Sequence, residues 1–336
     1  MTQTPHRRDF LKQSAAAATA SLFATCAQLN APRPVQAANS KDAAVNDATL
    51  AVVDTHQHLW DLTKLNLPWL KNDGVQSINR SFVMSDYLQA TRKANVVKTV
   101  YMEVNVHPSQ QVKEARYVID LCERDDNPMC AAVIGGFPHD SGFASQITKL
   151  AKSPFIKGVR TVLHDPDRPR GLCLRPEFVA GIKHLGELGL SFDLCMRPDE
   201  LMDGVKLAKT CPQTRFVMDH CGNMSVTSTD RKQRQLWMDG IRAAAQLDNM
   251  VCKISGIVVT AEKDKWKPAD LAPNMNVCMD AFGENRAYFG GDWPVCTLKS
   301  SYIQWVDALK WIVRDRSAEF KQKLFHDNAV RFYGLA

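Results

Sequence analysis

Short apolar segments alternate with longer amphipathic segments along the chain from about residue 50 onward. Eight apolar, β-rich segments are predicted strands, at 50–54, 98–104, 130–135, 156–163, 190–195, 215–219, 250–254 and 287–290. Between them, apolar residues recur at helical spacing in five segments, at 109–124, 176–186, 200–209, 233–246 and 301–314. Strands that alternate with helices indicate βαβ units and a parallel sheet. Eight such strands predict an α/β fold that closes into a (β/α)8 TIM barrel.

An open doubly wound sheet is the alternative arrangement for the same alternation of elements. Its nucleotide-binding version is disfavoured, because no G-x-G-x-x-G sequence follows the first predicted strand. No linker rich in Pro, Gly and Ser divides the later chain, so residues 50–336 are predicted to form one domain. Two segments, 225–233 and 260–276, are predicted loops in which substrate specificity varies.

Three polar features lie where predicted strands end, and this face of a barrel carries the active site. His56 and His58 alternate along the first strand, so both side chains point to one side of the sheet. His220 follows the sixth strand, and Asp292 follows the eighth strand after two glycines. Taken singly, each has an ordinary explanation: an incidental H-x-H, a capping histidine, or a turn aspartate before a proline. Their coincidence at three strand ends favours catalysis or metal binding.

Five further residues are candidates for contacts with a substrate. Arg160 lies within the fourth predicted strand and is expected to present a cation to a carboxylate or carbonyl group. Glu103 follows the second strand, and His164 follows the fourth. Trp60 and Trp293 are expected to form an apolar wall. For each of the five, core packing or a surface ion pair is the competing interpretation.

A series of short motifs runs through residues 54–335 in the order found in one known family. They are DTHQHLWD (54–61) with PWL (68–70), GVR (158–160), FDLCMRP (192–198), VMDHCGN (217–223), CKISGI (252–257), FGGDWPVC (289–296) and DNAVRFYGL (327–335). In these motifs the chain resembles the amidohydrolase-related (amidohydrolase 2) family of the amidohydrolase superfamily. The resemblance is to its lactonase branch, which contains L-fuconolactonases, L-rhamnonolactonases and 2-pyrone-4,6-dicarboxylate lactonases. It implies a barrel like that of the metal-dependent hydrolases, one that hydrolyses a lactone ester.

The resemblance also implies roles for single residues at the strand ends. His56 and His58 match the histidine pair of strand one, and Arg160 occupies the position on strand four. The superfamily often has a carboxylated lysine or a glutamate on strand four and a histidine on strand five, whereas strand five here offers Asp193. A binuclear metal centre is therefore not expected. The alternatives are no metal, or one divalent metal (zinc or manganese) held by His56, His58, His220 and Asp292.

Together these residues predict the hydrolysis of a small lactone, derived from a sugar acid or from a dicarboxylic acid. Asp292 is expected to act as the general base. His220 and one of the strand-one histidines polarise the carbonyl group, and Arg160 orients the substrate. Two alternatives stay open: a metal-dependent decarboxylase of the same superfamily, and a non-catalytic exported barrel that binds a sugar. The segment MEVNVHPSQ (102–110) departs from the pattern of sugar lactonases, so the lactone itself is not identified.

Residues 1–38 are predicted to be a signal peptide. An arginine pair at 7–8 precedes an apolar, Ala-rich run, and small residues near Ala37 offer a cleavage position. The pair predicts the twin-arginine export machinery as a partner and a location that is periplasmic or otherwise exported. The run is too short for stable membrane insertion, and the sequence before Cys26 fits a lipid-attachment motif poorly. Residues 39–49 are a predicted polar linker.

The charge balance excludes one further class of partner. The formal net charge is +6, and no run of like charges occurs after the first fifty residues. Nucleic-acid binding needs clustered Lys and Arg. A small molecule is therefore the expected ligand, and no nucleic acid is expected.

Overall fold

Eight parallel strands form one sheet in which each strand pairs with the next one in the chain. The computed structural model describes residues 50–335. The strands are β1 (Val52–Gln57), β2 (Val96–Met102), β3 (Met129–Gly135), β4 (Ile156–Val162), β5 (Ser191–Cys195), β6 (Arg215–Met218), β7 (Met250–Ile254) and β8 (Ala287–Phe289). The predicted (β/α)8 barrel is confirmed, and each strand overlaps its predicted segment.

The barrel closes between β8 and β1 through contacts of β1 and His58 with the residues that follow β8. Gln57 forms an isolated parallel bridge with Trp293, and the backbone N–H of His58 donates to the Trp293 carbonyl at 2.8 Å. The backbone N–H of Gly291 donates to Asp54 Oδ1 at 2.7 Å. The closure is therefore built from the two motifs that carry His58 and the strand-eight aspartate.

Helices lie between the strands and at the C-terminus. They are α1 (Met84–Thr91), α2 (Gln111–Cys122), α3 (Phe143–Leu150), α4 (Pro176–Glu187), α5 (Leu201–Thr210), α6 (Arg231–Ala245), α7 (Pro268–Phe282), α8 (Tyr302–Ile312), α9 (Ala318–Gln322) and α10 (Asn328–Tyr333). A π-helical turn at Lys323–Asp327 joins α9 to α10. The five predicted helices correspond to α2, α4, α5, α6 and α8. The predicted loop at 225–233 is shorter than expected, because it overlaps the first turn of α6.

Helix α7 corrects the prediction of a loop at 260–276. It begins at Pro268, because a residue without an N–H suits the first helical position. Asp270 accepts a hydrogen bond from the backbone N–H of Lys267 at 2.7 Å and so caps the first turn. Pro273 lies inside the helix. A proline there removes a backbone donor and usually ends a helix. For this reason the sequence pattern does not predict α7.

The interior of the barrel is apolar below the strand ends. Val53, Val100, Val133 and Val217 are fully buried on four different strands. They belong to one apolar cluster that also contains Tyr333 of α10. The C-terminal helix therefore seals this part of the interior, and the polar residues collect where the strands end.

The predicted signal peptide at 1–38, the linker at 39–49 and Cys26 lie outside the described residues. The barrel itself extends from β1 to α10 within them. None of the helices between residues 50 and 335 combines the length and the apolar character needed to cross a bilayer.

Candidate active site

The four residues predicted at the strand ends lie together. His56, in β1, and His58, just after it, have ring centroids 4.8 Å apart, and the His220 ring lies 4.4 Å from that of His56. Asp292 Oδ1 lies 3.3 Å from His58 Nε2 and 3.7 Å from His56 Nε2. Three histidines and one carboxylate therefore surround a common point.

Two glycines allow Asp292 to reach this point. A Cβ atom at Gly290 would lie 2.8 Å from the Cβ of His56, and one at Gly291 would lie 2.4 Å from Asp54 Oδ2. Both distances are too short for any side chain. Asp292 itself has a φ of 53°, in the left-handed region that non-glycine residues rarely adopt. The chain after β8 thus turns sharply and directs the carboxylate back over β1.

A second turn in the left-handed region places His220. The φ angles of His220, Cys221, Gly222 and Asn223 are all between 52° and 70°. His220 Nδ1 lies 2.9 Å from the hydroxyl of Ser255, just after β7. Strained backbone of this kind collects at functional sites, and here it orients one imidazole.

A network of buried charges lies beneath the histidines. Arg160 donates from Nε to Glu103 Oε1 at 2.7 Å and from Nη2 to the Glu103 carbonyl at 2.8 Å. Lys253 Nζ lies 2.7 Å from Asp193 Oδ2 and 3.0 Å from Asp219 Oδ1. Two cations thus face three carboxylates. Buried charges of this kind persist only when they are paired.

The two carboxylates around Lys253 differ in acidity. Burial raises the pKa of Asp193 to about 7, although Lys253 opposes the shift. Burial acts on Asp219 in the same direction, but Lys253, His220 and Arg160 overcome it and lower its pKa to about 2. Asp219 is therefore the permanent anion of the network.

His56 is a neutral imidazole in this environment. Burial holds its pKa well below the ordinary value, and the positive charge of Lys253 lowers the pKa further. Its Nε2 lies 3.1 Å from Arg160 Nη1. A guanidinium group can only donate, so Nε2 accepts and the proton is on Nδ1. That nitrogen faces Asp219 at 3.8 Å, which is too far for a hydrogen bond.

His58 and Asp292 face each other in an arrangement that needs a positive charge. His58 Nδ1 lies 2.9 Å from the carbonyl of Met102, which accepts, so Nδ1 holds a proton. In neutral His58 the lone pair on Nε2 would then point at the Asp292 carboxylate, 3.3 Å away. Two acceptors repel at this distance. A shared proton or a metal cation between them removes the repulsion.

The donor atoms fit one divalent cation. Ligand atoms of His56, His58 and Asp292 all lie within 4.8 Å of one another, and zinc prefers imidazole nitrogen and carboxylate oxygen in this number. His56, Asp219 and His220 form a second such group. Lys253 already neutralises Asp219 in that group, so the first set is the better fit.

A cavity of about 320 Å³ opens above these residues. His58, Arg160, His220 and Asp292 form its polar floor, and His164 lies higher in the wall. His164 is exposed to the cavity, yet the surrounding protein atoms lower its pKa to about 4, with His220 and Arg160 contributing. A small molecule in this space can contact the carboxylate, two imidazoles and the guanidinium group at once.

The remaining residues that were predicted to contact a substrate do not line this cavity. Glu103 is buried under Arg160 and holds it in place. Trp60 and Trp293 are buried behind the cavity, each with its ring centroid 5.3 Å from that of Phe82. Trp69 does line the cavity.

Several residues of the site are not evident from the pattern of strand ends. Asp219 and Lys253 project into the charge network, and Trp69 contributes to the cavity wall. For Lys253 one signal is present in the sequence, since it is a charged residue in the buried strand MVCKI (250–254). Its pairing with one carboxylate in β5 and another just after β6 is visible only in three dimensions.

A parallel barrel with histidines from strands one and six and an aspartate from strand eight defines a class of barrel hydrolase. The family model Amidohydro_2, described as amidohydrolase, matches residues 53–335. The chain belongs to this family and is an enzyme of the amidohydrolase superfamily, as its motifs predict.

The relatives align with this chain over nearly their whole length. Protein y4mH of Sinorhizobium fredii is 29% identical over 302 residues, which are 84% of this chain and 98% of that protein. An L-fucono-1,5-lactonase of Burkholderia ambifaria is 28% identical over 293 residues, covering 84% of this chain and 95% of that protein. Among solved structures, an amidohydrolase from Burkholderia multivorans with bound zinc has a TM-score of 0.76 at 23% identity, covering 85% and 100% of the two chains. That structure shares the fold.

Proposed function

We propose that this protein hydrolyses the ester bond of a small lactone. The observation that supports the proposal most is the Asp292 carboxylate on the cavity floor, 3.3 Å from His58 and flanked by His220 and Arg160. A base, a polarising donor and a cation thus line one small space. Similarity to an L-fucono-1,5-lactonase supports the same reaction class.

In the proposed mechanism, Asp292 removes a proton from a water molecule, whose oxygen attacks the carbonyl carbon of the lactone. His220 can accept from Ser255 at Nδ1 and donate from Nε2 to the carbonyl oxygen, where negative charge develops. The ring C–O bond then breaks. Protonated Asp292 returns its proton to the leaving alkoxide, so the product is a hydroxy acid. Arg160, fixed by Glu103, orients the substrate from the floor.

His56 has a supporting role in this scheme. It is fully buried and does not line the cavity, so it orients Arg160 through Nε2. A zinc or manganese ion held by His56, His58 and Asp292 would replace the Arg160 hydrogen bond at His56 Nε2, and it would acidify the attacking water and polarise the carbonyl group.

A pH-indicator assay tests the proposal on L-fucono-, L-rhamnono- and D-galactono-lactones and on simple alkyl lactones, with and without chelator. Turnover of at least one lactone is expected. Turnover that survives chelation assigns catalysis to the side chains alone, whereas loss that zinc or manganese restores assigns it to a mononuclear site. If no lactone is hydrolysed even with added metal, the proposal is wrong, and decarboxylation and ligand binding without turnover become the hypotheses to test.

A further inference from the structure

The wall of the cavity above the catalytic floor is apolar. Six apolar side chains line it: Trp69, Val104, Val162, Ile257, Val259 and Val295. Four of them are only half-buried and so leave surface open to a ligand, namely Trp69, Val162, Val259 and Val295. A bound molecule that covers this surface gains the free energy of removing apolar area from water.

Most of the polar side chains of the wall already have a partner within the protein; Asn105 Nδ2, for example, donates to Asp165 Oδ2 at 3.3 Å. Asn223 Nδ2 donates to the Met196 carbonyl at 2.8 Å. The Thr260 hydroxyl donates to the Ile257 carbonyl at 2.8 Å and accepts from the backbone N–H of Val226 at 3.1 Å. A ligand with many hydroxyl groups would therefore lose hydrogen bonds to water and find few partners, which weakens its binding.

The charges of the wall disfavour an anionic ligand. Among the described residues that line the cavity, Arg160 has the only permanent positive charge, and it already pairs with Glu103 at 2.7 Å. Asp165 and Asp292 line the same space. Above the floor, Asp165 is the charged side chain that the described residues contribute to the wall. A carboxylate on the lactone ring would therefore face the Asp165 carboxylate.

We infer that the preferred substrate is an uncharged lactone whose ring bears a short apolar substituent, rather than a polyhydroxylated or carboxylated lactone. This inference rests on the proposed lactone hydrolysis and specifies its substrate class. The cavity volume of about 320 Å³ lies at the lower end for ligand sites, so the substituent is a few carbons long.

The test compares kcat/KM for δ-valerolactone and its 5-methyl, 5-propyl and 5-pentyl derivatives with that for D-glucono-1,5-lactone and a 5-carboxymethyl δ-lactone. All assays run at one pH, about 8, so that the ionisation of the site is the same for every substrate. We expect kcat/KM to rise about fourfold per methylene from the unsubstituted ring to the propyl derivative. The hydroxylated and carboxylated lactones should fall about tenfold or more below the propyl derivative. A hydroxylated or carboxylated lactone as the best substrate would overturn the inference.

Val259→Thr keeps the shape of the wall and adds a hydroxyl group. It should reduce the gain per methylene, and Val295→Thr should act likewise. Val97→Thr is the matched control, because Val97 is exposed on β2. An unaltered gain per methylene in both wall variants would contradict the inference.

A binding measurement separates this inference from the proposed hydrolysis. Calorimetry gives the affinity for the matching 6-alkyl δ-lactams, which have the same ring and substituents as the lactones. If no lactone is hydrolysed but lactam affinity rises with alkyl length, the proposed hydrolysis fails and the apolar ligand class stands. If lactams bind without any gain from the alkyl group, or do not bind, the inference is overturned as well.

Discussion

Lys253 shows how one residue can hold a site together without touching a substrate. It is fully buried and lies between Asp193 and Asp219. The two carboxylates raise its pKa despite burial, so it stays charged. Asp219, which Lys253 holds in place, lies 3.8 Å from His56 Nδ1. The other ring nitrogen of His56 accepts the hydrogen bond from Arg160 and so fixes the position of the guanidinium group. Lys253 and Arg160 thus supply the positive charge beneath the histidines.

Lys253→Met should destabilise the protein by about 3–5 kcal/mol, because it leaves the buried Asp193 without a cation and Asp219 with Arg160 alone, at 3.6 Å. Urea denaturation followed by circular dichroism gives the free energy of unfolding. Lys93→Met is the control, since Lys93 is exposed after α1. A loss below about 1 kcal/mol would show that the network does not depend on this charge.

At the scale of elements, a buried carboxyl group ties α2 to the end of β2. Glu114 Oε1 accepts from the Tyr101 hydroxyl at 2.8 Å and from the backbone N–H of Val104 at 2.7 Å. Burial, with a smaller contribution from the charge of Glu103, raises the pKa of Glu114 to about 8. The folded protein therefore keeps a proton here that the unfolded chain releases near pH 4.5.

Glu114→Gln tests this difference through the pH dependence of stability. A raised pKa stabilises the fold fully below the unfolded pKa, and this contribution decreases until the pH passes the folded pKa. The wild-type protein should therefore lose up to about 1.4 kcal/mol per pH unit relative to Glu114→Gln between pH 4.5 and about 8. Denaturation at several pH values measures the difference, and Glu123→Gln on the exposed end of α2 is the control. A difference that does not change with pH would contradict the assignment.

The sequence predicts those strands and helices whose apolar residues recur at a regular spacing or whose ends are marked by a distinct motif. Apolar runs identify all eight strands, and the H-x-H of β1 and the G-G-D after β8 locate residues that meet in the site. Helix α7 is missed, because Pro273 resembles a helix breaker. The pairing of Arg160 with Glu103 joins residues 57 positions apart, and local patterns give no information about such contacts. The same holds for Trp69, which replaces the predicted Trp60 in the cavity wall.

At the scale of the whole molecule, closure of the barrel and assembly of the site are one event. The bridge between Gln57 and Trp293 closes the sheet, and Asp292 and His58 flank that bridge in sequence. A barrel that fails to close would separate the carboxylate from the strand-one histidines. The proposed catalysis by Asp292 therefore depends on the complete fold.

Export is the second property of the whole chain, and we propose that residues 1–38 direct it through the twin-arginine route. Changing Arg7 and Arg8 to Lys should retain the full-length precursor inside the cell, because the receptor reads the arginine pair. Cell fractionation and N-terminal sequencing of the mature protein measure this, with cleavage expected near Ala37. Efficient export of the double variant would contradict the proposed route.

The central claim is that Asp292 acts as the base of a lactone hydrolase. The most direct measurement is kcat for Asp292→Asn on the best lactone, beside Asp120→Asn, which alters an exposed carboxylate on α2. We expect kcat to fall about 10²–10⁴-fold in Asp292→Asn, with an unchanged circular dichroism spectrum, and to stay near wild type in the control. Near-normal turnover by Asp292→Asn would contradict the claim.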